Sequence, residues 1–342
     1  MEMKELEVIE ATQLLDKEFT GGEPIIEGVL NTGLCLLAGD PKIGKSFLMM
    51  QLAYHVTKGI NLWNNKVTKG TVLYLALEDS YPRLQQRLNR MYGVEDVPGL
   101  FFSTRAATLN LGFGLQLGNF FTVHEDTKLI IIDTLQKIKD GGNESYSYAN
   151  DYEIMGRLKN IADTCKIAIL LVHHTRKMQS PGNCYDRISG TNGLMGAADT
   201  TWILSKKKRN SNDATLNIVG RDQPDTEIKL RRDSIKCTWQ AVETEGQLLG
   251  ELTEPIIPVV VDIIANSPNH EWQGTATELM QKLPKELIAT FRTNTLSRKL
   301  NVLREDFLRK EDIFIKIDRN INGRFISIKK IIKKGEIKKD AS

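Results

Sequence analysis

Gly39-Asp40-Pro41-Lys42-Ile43-Gly44-Lys45-Ser46 is the stretch that decides the fold of this chain, because it matches the phosphate-binding pattern G-x-x-x-x-G-K-[ST]. The apolar residues 34–38 precede it and predict a buried strand. Good helix formers follow it as far as Gly59, a typical C-terminal cap. Strand, glycine-rich turn and helix form the context in which this pattern binds a nucleotide.

The chemistry of the turn explains that prediction. Its backbone N–H groups point inward, and the following helix N-terminus adds positive potential. Lys45 is predicted to reach the β- and γ-phosphates, and the Ser46 hydroxyl to ligate Mg²⁺. The predicted nucleotide-binding residues are Gly39, Asp40, Pro41, Lys42, Ile43, Gly44, Lys45, Ser46 and Phe47.

The composition is that of a globular protein with 41% hydrophobic and 26% charged residues. No apolar run is long enough to span a bilayer, and the charged first residues lack the apolar core of a signal peptide. The four cysteines are scattered and predict free thiols rather than disulfides or a zinc site. We therefore expect a cytoplasmic protein with no membrane partner.

The formal net charge of +3 hides an uneven distribution. Residues 291–342 contain 15 Lys and Arg against 7 Asp and Glu, whereas the rest of the chain is acidic overall. A basic terminal region on an acidic body indicates nucleic-acid binding. A solvated lysine-rich terminus is the alternative.

Strand and helix patterns alternate from residue 34 and predict an α/β fold with a mainly parallel sheet and helices on both faces. We expect buried strands at residues 71–77, 100–103, 129–133, 167–172 and 201–204, and antiparallel strands at 214–219 and 227–230. Helices are predicted at residues 81–92 and 151–164. Two long polar loops, at residues 140–150 and 176–193, are of the kind that carries function.

A different pattern follows residue 256. Residues 275–278 form a capping box, residues 285–291 predict a second helix, and an apolar stripe from Leu296 to Phe307 predicts a third. Two alternating strands then flank Asn322-Gly323, a hairpin signal. Three helices and a hairpin predict a small winged-helix-like α+β domain.

These patterns suggest the following organisation. We expect an N-terminal extension over residues 1–22, an ATPase domain over 23–248, a linker and helix over 249–270, a winged-helix-like domain over 271–330 and a basic tail over 331–342.

Two acids follow predicted strands. Asp133, at the tip of an apolar strand, is expected to hold Mg²⁺, although such residues also cap helices. Glu78, the first polar residue after residues 71–77, is the candidate that orients the attacking water. Its alternative is capping of the next helix, a role that also suits Asp79 or Ser80.

The other catalytic candidates are basic. His174 is predicted to sense the γ-phosphate; a zinc site with His173 lacks further ligands at a useful spacing. Arg221 is the preferred cationic finger, and the basic run at residues 206–209 is the alternative.

Six segments then occur in a familiar order: LAGDPKIGKS, GTVLYLALEDS, LIIIDTLQKIK, ILLVHHTRK, RISGTNGLMGAADT and VGRD. Over residues 20–245 the chain resembles the RepA-like branch of RecA-fold ATPases, which comprises plasmid- and phage-type replicative helicases. The resemblance implies a RecA-like core that binds ATP and Mg²⁺ at the interfaces of a ring, expected to be a hexamer.

Matched position by position, the resemblance implies that Lys45 and Ser46 contact phosphate and Mg²⁺, and that Asp133 is the Walker B acid. It likewise implies that Glu78 is the catalytic glutamate, His174 the sensor and Arg221 part of the finger region. The C-terminal part is absent from the minimal RepA-like helicase, so its role is not implied.

DNA is the expected partner. The two long loops are predicted to face a central channel that holds single-stranded DNA, with Tyr146, Tyr148, Lys177 and Arg187 as contacts. In the C-terminal part, DNA binding and protein docking are both open. For DNA, Ser297, Arg298, Asn301 and Arg304 are expected to face outward, and Arg319 and Arg324 to flank the hairpin turn.

The sequence thus predicts an ATP-dependent, DNA-translocating helicase of a mobile element or phage. Two alternatives remain: a DNA-binding ATPase that loads or remodels a nucleoprotein complex without unwinding, and a nucleotide-gated DNA-binding regulator.

Overall fold

Strand β1 (Gly33–Gly39) lies inside a nine-stranded sheet in a computed structural model of the chain. The structure describes residues 8–17, 22–139, 148–174, 192–206, 208, 210–242, 254–288, 293–320 and 323–331. These residues divide into two compact units, one comprising residues 22–247 and the other residues 1–21 with 248–342. The predicted domain bounds stay a prediction. Within the described residues, no helix has the length and apolar character needed to cross a bilayer.

The sheet of the larger unit has the order β3-β2-β4-β5-β1-β6-β7-β8-β9. Its first six strands are parallel neighbours, and the last three are antiparallel. The strands are β2 (Thr71–Ala76), β3 (Leu100–Ser103), β4 (Thr127–Asp133), β5 (Ala168–His174), β6 (Thr200–Ser205), β7 (Asp213–Gly220), β8 (Thr226–Arg232) and β9 (Trp239–Ala241).

Helices cover both faces of this sheet, as the alternating pattern predicted. One face packs against α2 (Lys45–Lys58) and α3 (Tyr81–Tyr92), and the other against α4 (Phe113–Val123), α5 (Tyr148–Cys165) and α6 (Asn192–Ala197). Every residue of β1, β2 and the apolar core of β4 is buried, which is why these strands are continuous apolar runs. Gly59 caps α2 in the left-handed conformation, as predicted.

The sequence interpretation differs from the structure in two places in this unit. Helix α4 was not predicted, because its three phenylalanines and two glycines weaken the helical pattern. Tyr148 was assigned to a loop, yet it begins α5, so the predicted loop is shorter at its C-terminal end. Tyr146, Lys177 and Arg187 lie outside the described residues, and their DNA role stays a prediction.

The smaller unit contains α1 (Ala11–Asp16), α7 (Ile256–Ala265), β10 (Glu271–Thr275), α8 (Ala276–Gln281), α9 (Lys285–Ile288), α10 (Thr293–Glu311), β11 (Ile313–Asn320) and β12 (Gly323–Lys330). Its three strands form a sheet of order β10-β12-β11. The capping box of Thr275 and Glu278 is confirmed, and the stripe from Leu296 to Phe307 is buried as predicted. The hairpin turn at residues 321–322 lies outside the described residues, and the winged-helix assignment remains a prediction.

The outward orientation predicted for Ser297 is wrong, because Ser297 is buried beside Leu296 and Leu300. Helix α10 therefore buries a face wider than its apolar stripe. Strand β10 was also missed, since the sequence Glu-Trp-Gln-Gly-Thr alternates poorly.

Ile131 of β4 provides a test of this core. Its side chain is fully buried in the centre of the sheet, so Ile131→Ala removes buried methyl groups and leaves a cavity. We expect a loss of about 3 kcal/mol in the free energy of unfolding, measured by urea denaturation. Ile235→Ala is the control, because Ile235 is 78% exposed and its truncation should change stability by less than about 0.5 kcal/mol. Equal effects would contradict this packing.

Candidate nucleotide-binding site

Strand register brings the predicted catalytic residues to one edge of the sheet. Gly39 of β1 pairs with His174 of β5, and Asp133 of β4 pairs with Val172 of β5 and Ala76 of β2. Because these strands are parallel, their carboxyl ends meet at the same edge. Glu78 follows β2 at that edge, so residues from four distant parts of the sequence become neighbours.

The glycine-rich turn has the backbone conformation that its sequence requires. Gly44 has φ of 112°, which residues with a side chain rarely adopt. A Cβ at this position would also lie 2.8 Å from Cζ2 of Trp239. Trp239 is fully buried beneath the turn, and its backbone N–H and C=O both bond to Gln51 of α2. The β9 end of the sheet therefore supports the phosphate-binding turn.

Lys45 is the central charge of the site. Its ammonium donates to the carbonyls of Gly39 at 2.6 Å and Asp40 at 3.0 Å, and to Nδ1 of His174 at 3.0 Å. Burial lowers the pKa of Lys45 to about 8, although the carboxylates of Asp133, Asp40 and Glu78 oppose this shift. Lys45 is therefore mostly protonated at neutral pH. Its hydrogen bonds link the end of β1 to the end of β5.

His174 lies between Lys45 and Glu78. Since an ammonium only donates, Nδ1 of His174 accepts and the proton of the neutral ring is on Nε2. Nε2 lies 3.8 Å from Oε2 of Glu78. Burial and the nearby Lys45 charge lower the pKa of His174, while Glu78 and Asp133 raise it. The imidazole thus lies between the two residues, hydrogen-bonded to Lys45 and 3.8 Å from Glu78.

The two acids have different surroundings. Asp133 is only 8% exposed and accepts a 3.0 Å hydrogen bond from the hydroxyl of Tyr74. Glu78 is half-exposed and accepts a 3.2 Å hydrogen bond from the hydroxyl of Thr134. Asp133 is thus buried and held in place, whereas Glu78 faces the cleft.

Glu78 does not cap α3, and the side chain of Ser80 at the N-cap position makes no capping hydrogen bond. Asp79 instead pairs with Arg83 at 3.1 Å and Arg87 at 2.8 Å. Because Asp79 is held in these two ion pairs, Glu78 is the better candidate of these two neighbouring acids for orienting water in the cleft.

These residues line a cleft of about 540 Å³, which also includes Pro41, Lys42, Gly44, Ser46 and Phe47. Two guanidinium groups lie near the Phe47 ring, with Cζ of Arg87 at 5.0 Å and Cζ of Arg232 at 4.6 Å from its centroid. Within the part of the chain that the structure describes, Nη1 of Arg87 and Nε of Arg232 are buried without a hydrogen-bond partner. Buried donors normally have acceptors, so these two atoms and the cationic turn fit an anionic, hydrogen-bonding ligand such as a nucleotide.

Sequence reasoning missed Tyr74, Thr134, Arg87 and Arg232. Tyr74 and Thr134 act through Asp133 and Glu78, and no local pattern indicates such partners. The two arginines lie in α3 and at the end of β8, so only the folded sheet brings them to Phe47.

Arg221 does not join this cleft. It follows β7, whose Gly220 pairs with Thr200 at the amino end of β6, whereas the phosphate-binding turn is at the opposite edge. The Arg221 guanidinium donates to the carbonyl of Gly196 at 2.6 Å and lies 3.9 Å from Asp199. It is half-exposed and lines a second cleft with Met195, Thr201 and Asp225. Of the alternative basic run, Lys206 lies 5.4 Å from the Trp239 ring.

Comparisons with known structures define the class of this fold. One solved ATPase domain superposes with a TM-score of 0.52 at 13% identity, over 62% of this chain and 85% of that one. A DnaB-like replicative helicase, described with its interactions with primase, superposes with a TM-score of 0.54 at 13% identity, over 68% and 64%. The chain therefore shares the RecA-like α/β fold, with its large and mainly parallel sheet, of these two structures, as predicted.

A family profile goes further. The profile of an AAA domain family, AAA_25, matches residues 4–180, more than half of the chain, and the chain belongs to this family.

Curated relatives share part of this sequence. DNA repair protein RadA of Streptococcus pyogenes serotype M6 is 29% identical over 154 residues, 44% of this chain and 29% of the relative. RadA of Helicobacter pylori J99 is 23% identical over 302 residues, 86% of this chain and 62% of the relative. The chain therefore spans about three tenths of the streptococcal relative and six tenths of the Helicobacter one.

The contact between Lys45 and His174 predicts a measurable titration. We expect the His174 imidazole to titrate below the usual value of about 6.5, and Lys45→Met to raise its midpoint because a neighbouring positive charge is removed. The unfolded chain then binds this proton more tightly than the folded chain, so the contribution of His174 to stability falls as the pH drops below about 6.5.

NMR of ¹⁵N-histidine protein measures both midpoints. His55 is the internal control, since burial lowers its pKa without any contribution from Lys45. An unchanged His174 midpoint in Lys45→Met would contradict the contact.

Proposed function

We propose that this chain is an Mg²⁺-dependent ATPase that couples hydrolysis to DNA binding and translocation, of the replicative DNA helicase type. The observation that carries the proposal is the grouping of Lys45, His174 and Glu78 at the edge that holds the phosphate-binding turn, with His174 bonded to Lys45 and 3.8 Å from Glu78. A phosphate-binding cation, a sensor and a candidate base within one cleft suit hydrolysis of a bound triphosphate. A cytoplasmic location belongs to the same proposal.

Each residue has a distinct role in this proposal. The three N–H groups of Lys45 donate to two carbonyls and to His174 in the structure. Phosphate oxygens would replace these acceptors when a nucleotide binds. Glu78, oriented by Thr134, holds and polarises the attacking water. Release of His174 from Lys45 is then the change by which β5 responds to the terminal phosphate.

Mg²⁺ fits the two oxygen donors that the sequence predicts. Ser46 lines the cleft, and Asp133 is a buried carboxylate at its floor, held by Tyr74. Carboxylate and hydroxyl oxygens are the ligands that Mg²⁺ prefers. When bound there, the ion would neutralise charge on the phosphate oxygens.

We propose that Arg221 acts in a neighbouring subunit. Its position at the sheet edge opposite to Lys45 supports action across an interface rather than within one chain. A closed ring, expected to be a hexamer, brings such opposite edges together. The channel contacts predicted for Tyr146, Tyr148, Lys177 and Arg187 belong to this proposal, as do Arg304 and Arg324 in the smaller unit.

A second candidate is a DNA-dependent ATPase that loads or remodels nucleoprotein complexes without unwinding. The similarity to proteins named DNA repair protein RadA favours it. A strand-displacement assay separates the two, because a remodeller hydrolyses ATP on single-stranded DNA and releases no strand. Footprinting tests the regulator, which would protect one duplex site.

Glu78→Gln tests the catalytic role. Since glutamine keeps the shape but lacks the base, we expect ATP turnover on single-stranded DNA to fall at least about a hundredfold while nucleotide binding persists. Turnover by phosphate release and binding by a fluorescent ATP analogue measure the two effects. Glu153→Gln is the control, because Glu153 is exposed on α5. Near-normal turnover in Glu78→Gln would remove Glu78 from the mechanism.

Arg221→Ala tests the finger. Turnover should fall by about a thousandfold if the guanidinium stabilises transition-state charge. Mixing this variant with Lys45→Ala, which is itself inactive, should restore part of the turnover, because some interfaces then combine an intact Lys45 with an intact Arg221. Arg231→Ala is the matched control, as Arg231 is an exposed arginine of the same sheet. No recovery in mixed assemblies would contradict action across the interface.

A further inference from the structure

The N-terminal helix of this chain contacts the face of α10 that was predicted to read DNA. The guanidinium of Arg298 donates to Oδ1 of Asp16 at 2.8 Å. One turn along α10, the side-chain amide of Asn301 donates to the backbone carbonyls of Leu15 and Lys17, each at 3.2 Å. Arg298 and Asn301 are three residues apart and therefore share one face of the helix.

The groups that α1 presents resemble those of DNA. A carboxylate on Arg298 takes the place of a backbone phosphate, and carbonyls on an asparagine amide take the place of acceptors on base edges. Charge supports the same match, since residues 1–17 contain five acidic and two basic residues, whereas residues 291–342 are strongly basic. The hydrogen bond to Asp16 and the charges of Asp16 and Glu10 raise the pKa of Arg298.

The contact is polar and shallow. Every residue from 8 to 17 remains exposed, and none of α1 enters the apolar core of the smaller unit. The side chain of Arg298 is 28% exposed and that of Asp16 is 29% exposed. A segment with no buried apolar residue is opened easily, because exposed ion pairs contribute little to stability.

We propose that the polar face of α10, formed by Arg298 and Asn301, is a docking surface for the chain's own acidic N-terminal segment, which occupies it in competition with duplex DNA. The inference rests on the proposed DNA role of the smaller unit. Binding of duplex DNA to this face requires release of α1, so the N-terminal segment is free only while DNA occupies α10.

The first test measures duplex affinity by fluorescence anisotropy over a salt series. Asp16→Asn should bind a labelled duplex about threefold to fivefold tighter, the scale of one exposed ion pair. The slope of log K against log[salt] should become steeper by about one. In the parent protein Arg298 leaves Asp16 to bind a phosphate, whereas in Asp16→Asn it gives up an ion from the salt, and that exchange depends on salt concentration. Asp262→Asn, which removes the same charge from an exposed position on α7, is the matched control and should change neither quantity.

A second variant distinguishes competition from general electrostatics. In an Arg298→Ala background, Asp16→Asn should no longer strengthen binding, because the group that Asp16 covers is gone. An equal gain in both backgrounds would overturn the inference, as would equal gains from Asp16→Asn and Asp262→Asn.

Hydrogen exchange observes the release directly. Amides of residues 11–17 should exchange faster when duplex DNA is added to the full chain, and unchanged or increased protection would overturn the inference. Single-stranded-DNA-stimulated ATP turnover is measured on the same proteins. If single-stranded DNA does not stimulate ATP turnover, the proposed translocation is rejected and the competition at α10 is unaffected. If no variant binds duplex DNA, the competition at α10 is rejected and the proposed translocation is unaffected.

Discussion

The buried ammonium of Lys45 is the group on which the candidate site depends. Taking a cation out of water is unfavourable unless acceptors surround it. Here two carbonyls and one imidazole nitrogen provide the acceptors, and nearby carboxylates supply opposite charge. The depressed pKa of Lys45 shows that this compensation is incomplete. A ligand with several negative oxygens is the natural complement of such a site.

Strand register is what makes this compensation possible. The three acceptors of Lys45 come from the end of β1, the residue after it and the end of β5, which are direct neighbours in the sheet. Moving β5 by one residue would turn His174 to the other face. The buried apolar residues of β1, β4 and β5 fix that register, so the hydrophobic core determines the geometry of a polar site. The phosphate-binding turn depends in the same way on the antiparallel end of the sheet, because Trp239 of β9 fills the space beneath Gly44.

Much of the fold follows from local sequence, whereas contacts between distant residues do not. Helix α3 and strand β3 lie at the residues predicted. For α3, a proline in its first turn and Gly93 at its C-cap mark the two ends in the sequence. The grouping of Lys45, Asp133, Glu78 and His174 could be predicted, since strand ends in a parallel sheet converge. Arg87 and Arg232 beside Phe47 could not, because their side chains meet only after α3 and β8 pack. The burial of Ser297 was not predicted, because a polar residue does not add to the apolar pattern that marks a buried helix face. The roles of these residues, as distinct from their positions, stay predictions.

The smaller unit differs from the larger one in how the hydrogen-bond donors of its candidate binding surface are satisfied. In the larger unit, Arg87 and Arg232, which carry the unpartnered buried donors described above, line the cleft, where a ligand could supply acceptors. On α10, the corresponding donors already have acceptors, supplied by the chain's own N-terminal segment. A donor whose acceptor belongs to the same chain loses and regains a similar bond when a partner arrives, so the net free energy of that exchange is small. In the proposed competition, the affinity of α10 for DNA is therefore the difference between two similar contacts, and we expect the removal of one charge from α1 to shift it.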